Sequence, residues 1–196
     1  MTKQSKVEKY LNDMIAAFDA RATYECAKNA DNSNMQKTLS DLKASVSHAE
    51  IARLMLAANI DCNFINRAER ANARFNVYSA EKVVNVIRAT ASVATLNHYT
   101  LNILRSIVAC NAASVDFTQR DAVSACSLTA KVDNSKLSLI SQYQKHVALN
   151  TAATQASSSL NALLMCAAIV EYRNAANMTC FKVAESEIAE KLKSTL

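Results

Sequence analysis

Apolar residues recur at three- and four-residue spacing from the start of the chain, where Val7, Tyr10, Leu11, Met14, Ile15 and Phe18 make one stripe. That period is the mark of a helix burying one face. Ser5 and Glu8 have the spacing of a capping box at its start, so the pattern predicts a helix over about 5–28. The run Asn29-Ala-Asp-Asn-Ser-Asn34 is rich in side chains that compete for their own backbone, and predicts a loop over 29–34. From Met35 the period resumes: Met35, Leu39, Leu42, Val46 and Ala49 alternate by four and three, as in a coiled-coil seam.

Ile51, Leu54, Met55 and Ala58 continue that pattern, and Ile65, Val77, Val83, Val84 and Ile87 carry it further with sparser charge. A long helical region is therefore expected over 35–132, with a break around Thr90–Asn97 and a second start where Asp116 and Gln119 have capping-box spacing. Asp133-Asn134-Ser135 predicts another loop, and a last helical region spans about 136–193, interrupted near Asn150. His48–Leu54 overlies His98–Leu104, and Leu101–Leu104 overlies Leu160–Leu163, but at unequal offsets, a weak hint of repetition.

Composition sharpens this picture through an absence. The 196 residues contain no glycine and no proline, where average usage gives about fourteen and about ten. Sharp reversals lose their usual residues, so long helices with few connections follow, and connections fall to Asn, Asp and Ser. The expected fold is all-α: one domain over 1–196 of long antiparallel helices in an extended bundle or coiled-coil-like assembly. With 51% hydrophobic but only 6% aromatic residues, the helices are expected to pack closely through small side chains.

Glycine-dependent phosphate loops, the nucleophile elbow and the calcium loop of an EF-hand are excluded in standard form. The six cysteines include no Cys-x-x-Cys pair, and His48, His98 and His146 stand too far apart for a helical metal site. The expectation is a non-enzyme with no cofactor and no metal, its cysteines reduced and serving as small core residues. Arg67, Arg70 and Arg74 have the spacing of one helical face and form a candidate face for an anion or an acidic partner. A net charge of +5 without a basic stripe interleaved with aromatics makes nucleic acid an unlikely partner on this reading. The charged N-terminus lacks the apolar centre of a secretory signal, and Leu160–Val170 is well short of the roughly twenty residues that span a bilayer. A cytoplasmic protein without a membrane span is expected.

Two stretches, Ser47-His-Ala-Glu-Ile-Ala-Arg-Leu-Met-Leu-Ala-Ala-Asn59 and Thr151-Ala-Ala-Thr-Gln-Ala-Ser-Ser-Ser-Leu-Asn-Ala-Leu-Leu-Met165, resemble the helical segments of Reb proteins, the subunits of bacterial refractile bodies. The resemblance implies cytoplasmic polymers that coil into ribbons and respond to pH. Independently, alanine-rich helix faces lead to the expectation of a structural protein that self-associates into an oligomer or filament, with Leu54, Ala57 and Ala58 as the candidate contact. The alternatives are a helical adaptor that binds another protein, a second helical protein among the candidates, as phage- or secretion-associated factors do, and a ligand carrier or enzyme with a site between helices.

Overall fold

The computed structural model describes residues 3–28, 30–70 and 73–196. The chain divides into two compact units, Met1–Ala94 and Thr95–Leu196, where the sequence had suggested one domain.

In the first unit, α1 (Lys3–Lys28), α2 (Ser33–Val46), α3 (Ala49–Ala57) and α4 (Val77–Thr90) are joined by a 3-10 turn at Phe64–Asn66 and a ribbon of β1 (Ala68–Arg70) and β2 (Ala73–Arg74). The predicted stripe of α1 buries Tyr10, Met14 and Phe18 and then continues into Arg21 and Glu25. Met14, Phe18, Leu39, Leu54, Met55, Ile65 and Ile87 fill the core, and Phe18, Phe64 and Phe75 meet edge to face at 6.0 and 5.8 Å. Ser5 is not a cap, because α1 already begins at Lys3. Of the predicted loop 29–34, Asn29 lies outside the described residues; α2 begins at Ser33, where Asn32 caps it by accepting from the Met35 N–H.

In the second unit, α5 (His98–Ala112), β3 (Phe117–Thr118), α6 (Gln119–Ala125), a 3-10 turn (Asn134–Lys136) and α7 (Leu149–Met165) precede β4 (Ile169–Arg173), β5 (Thr179–Val183) and α8 (Glu187–Lys193). The strands form one antiparallel sheet in the order β3-β5-β4, with Phe117 opposite Phe181 and Ile169 opposite Val183. Ile103, Leu104, Ile107, Phe117, Leu160, Leu163 and Leu192 make the core. The chain is therefore mostly helical with small sheets, and the expected helical regions over 35–132 and 136–193 are broken by strands and long irregular segments beyond the breaks expected at Thr90–Asn97 and near Asn150.

The reversals that glycine would have made are made without it. Four helices end with a residue at positive φ: Asn59 (56°) after α3, Ser92 (58°) after α4, Ser114 (55°) after α5 and Ala167 (52°) after α7. Each is the C′ residue of a Schellman motif. The Ile60, Val93, Val115 and Ala168 N–H groups reach back to the carbonyls of Met55, Arg88, Cys110 and Leu163 at 2.8–3.0 Å. Asn177 (57°) does the same service in the β4–β5 turn. A chain without glycine thus keeps its sharp turns by holding Asn, Ser and Ala in the left-handed region, at a conformational cost.

Both units run helix, helix, helix, hairpin, helix, the second adding β3 before α6. The sequence matches fall elsewhere: they align the start of α3 with the start of α5, and α5 with the second half of α7. Those are different places in that order, so the matches do not trace a structural repeat.

Candidate functional site

The second unit carries an extended set of polar contacts around α6, α7 and the β4–β5 hairpin. Helix α7, of 17 residues, contains no charged side chain. One face, Ala152, Ala156, Ser159, Leu160 and Leu163, is buried, and Ser159 accepts from the buried Thr100 hydroxyl of α5 at 3.0 Å. The opposite face carries Asn150, Thr151, Ala153, Thr154, Ser157 and Asn161, all exposed. It is small, polar and uncharged, with Thr154 turned back onto the Asn150 carbonyl at 3.0 Å.

The first residues of α6 are locked by a reciprocal capping box: Thr118 accepts from the Asp121 N–H while Asp121 accepts from the Thr118 N–H at 2.8 Å. The capping spacing noted at Asp116 and Gln119 was thus two residues early. Asp121 is buried and pairs with Lys136 at 2.6 Å, and Lys136 also donates to the Asp116 carbonyl at 2.6 Å. Asp116 is used differently, accepting from the Tyr172 hydroxyl at 2.6 Å and the Asn174 amide at 2.8 Å. These bonds hold its carboxyl below the usual carboxylate range, and the same bond to Asp116 pushes the Tyr172 phenol upward. The start of α6 and the β4–β5 hairpin are thereby tied together.

Residues 126–148, between α6 and α7, are a long irregular segment held by its own bonds. Gln142 donates to the carbonyls of Ser124, Ser127 and Ala130 at 3.0–3.2 Å, and the Ser127 hydroxyl both donates to the Val147 carbonyl and accepts from the Val147 N–H. The end of the segment is pinned to the end of α6, and α7 starts two residues later. Beside it Tyr143 stacks on His98 at 5.7 Å, meets Tyr99 at 4.9 Å and lies under Lys145 at 6.0 Å. Gln119 of α6 reaches Ser157 of α7 at 3.1 Å.

Exposed cations surround this helix in sequence: Arg120 on α6, Lys131 and Lys145 in the irregular segment, Arg173 on β4 and Lys182 on β5. Arg173 donates to the Asn177 carbonyl across the hairpin turn at 3.0 Å, and Lys182 stands over the Tyr172 ring. Both Asp116 oxygens are engaged, by Tyr172 and Asn174, and Asp121 Oδ2 is shared by Thr118 and Lys136.

The residues singled out from sequence lie in the first unit. Leu54 is fully buried in its core, while Ala57 ends α3 and Ala58 caps it. Arg67, Arg70 and Arg74 are not on a helix: Arg70 is in β1, Arg74 in β2 and Arg67 just before them. The Asn and Asp residues at 59–66 break the helix first, Asp61 accepting from the Asn63 N–H in a local turn. Of the six cysteines, Cys110, Cys126, Cys166 and Cys180 are buried, and burial pushes the Cys166 thiol well above its ordinary value. Among the described residues no helix is long and apolar enough to cross a membrane. The chain matches no protein-family model, no curated protein and no solved structure.

Proposed function

We propose that the second unit binds duplex DNA, with α7 entering the major groove and the β4–β5 hairpin lying beside it. The observation that carries this reading is the order helix, strand, helix, helix, hairpin closed by a β3-β5-β4 sheet, which is the arrangement of winged helix-turn-helix domains. In helix-turn-helix binding the second helix reads base edges through its N-terminal residues while the first crosses the backbone. Here the second helix is α7, and its exposed Asn150, Thr151 and Thr154 are amide and hydroxyl groups of the kind that pair with base edges. A face with no carboxylate also meets no repulsion from phosphates. The departure from the usual motif is the connection, since residues 126–148 replace a turn of three or four residues. The modest net charge argued the other way, but the cations are placed on α6, the irregular segment and the hairpin, where backbone contacts would fall.

The test is fluorescence anisotropy with a mixed-sequence duplex at several salt concentrations. If the exposed Arg120, Lys131, Lys145, Arg173 and Lys182 all meet phosphates, the affinity falls roughly 500-fold between about 50 and 200 mM salt, the slope being about −0.9 per phosphate contact. A salt-independent affinity, or no binding at the lowest salt, overturns the proposal. Self-association is the second reading, favoured by Leu137 and Leu149, which are 62% and 58% exposed. Sedimentation velocity over a wide concentration range decides it: a monomer throughout counts against it.

A further inference from the structure

We infer that the first unit holds a separate binding site for a small organic anion with an aromatic or apolar body, in the cavity between α1, the β1–β2 ribbon and the start of α4. The cavity measures about 400 Å³, within the size range of small-ligand pockets. On its α1 side Arg21 and Glu25 are both buried and paired at 2.8 Å, and Arg21 donates also to the Ile65 carbonyl. That pair is neutral as a unit and rigid.

Two further cations line the cavity: Lys28, which donates to the Tyr24 hydroxyl at 3.3 Å, and Arg74, the one held as a planar fork. Its guanidinium lies on the Tyr24 ring at 3.7 Å and donates to the Asn66 side-chain oxygen at 3.0 Å, and neither partner is a carboxylate. Glu69, the other acid lining the cavity, is engaged by Arg67 at 3.7 Å. Stacking on one face and a bond at one edge hold the planar fork in place, the condition under which an arginine receives a carboxylate or phosphate with little loss of freedom. Met35, Val77 and Tyr78 add an apolar side to the same cavity, and Tyr78 is 52% exposed. A cation held by neutral partners next to exposed apolar surface selects a ligand with an acidic head and an apolar body. Arg74 was singled out from sequence as part of an anion-binding face; the structure gives it a different set of neighbours. The inference does not depend on the DNA-binding reading of the second unit.

The test is a titration of the full-length protein, followed by amide chemical shifts, with benzoate, phenyl phosphate and neutral benzyl alcohol. At least one anion should give saturable shifts centred on Tyr24, Arg74, Val77 and Tyr78, with benzyl alcohol binding at least tenfold more weakly. Arg74→Gln should weaken the anion about tenfold, and Tyr78→Ala, a change at an exposed position, several-fold. Absence of saturable shifts from either anion, equal binding of benzyl alcohol, or shifts centred elsewhere overturns the inference. So does unchanged anion affinity in both variants.

Discussion

Ala167 sits at φ 52° in the Schellman motif that ends α7, where a β-carbon is costly and glycine is the usual occupant. Replacing it with glycine relieves about 1–2 kcal/mol of left-handed strain. Against this, the unfolded chain gains freedom worth about 0.4–1 kcal/mol, and the half-buried methyl group returns a few tenths at about 25 cal/mol per Å². The balance is a stabilisation of about 0.5 kcal/mol. The same chemical change at Ala153, exposed in the interior of α7, has no strain to relieve and should destabilise by about 1 kcal/mol. Urea unfolding followed by circular dichroism measures both, and the midpoints should move a few tenths of a molar in opposite directions. If Ala167→Gly lowers the midpoint as far as Ala153→Gly, the account of how this chain turns without glycine is wrong.

Ser92→Gly and Ser114→Gly, at exposed positions with φ 58° and 55°, should each stabilise their unit by a similar amount, seen as a higher midpoint. Lys136→Met leaves Asp121 buried without its cation and should cost about 3–5 kcal/mol, read as a fall in the unfolding midpoint of the second unit. The Asp116 carboxyl is held below its ordinary range, so its contribution is present above the unfolded carboxylate pKa and is lost as pH falls through the folded one. Asp116→Asn should therefore flatten the stability profile below about pH 4, and an unchanged profile would refute the assignment. The Tyr172 phenol is raised, so in an ultraviolet titration it should ionise above the ordinary tyrosine range of about pH 10 and return toward it when Asp116 becomes alanine. Lys145→Ala should reduce the salt slope of DNA binding by about one contact.

Much of the helical content was legible from period alone: α1 ends at Lys28 as predicted, and the break between Thr90 and His98 is where the pattern weakens. What period could not show was how the helices stop. The lack of glycine and proline reads as a lack of reversals, yet Asn59, Ser92, Ser114 and Ala167 make them under strain, a tertiary outcome that no local preference announces. Asn76, inside the long helical region expected over 35–132, and Asn97, at the end of the expected break, are exposed caps that accept from the N–H groups of Tyr78 and Tyr99. The β4–β5 hairpin was absorbed into the last helix because its turn lacks glycine. Its signal was present in Ile-Val-Glu-Tyr-Arg and Thr-Cys-Phe-Lys-Val, β-branched and aromatic runs flanking Asn174 and Asn177. The uncharged run of α7 was visible as composition, but its place between α6 and the β4–β5 hairpin was not.

The most direct test of the central proposal is Thr154→Glu, which puts a carboxylate on the exposed face of α7 without touching the core. With a circular dichroism spectrum and unfolding midpoint close to those of the unaltered chain, the variant should lose its affinity for a mixed-sequence duplex at low salt. Retention of full affinity would show that α7 does not face DNA, and would contradict the account.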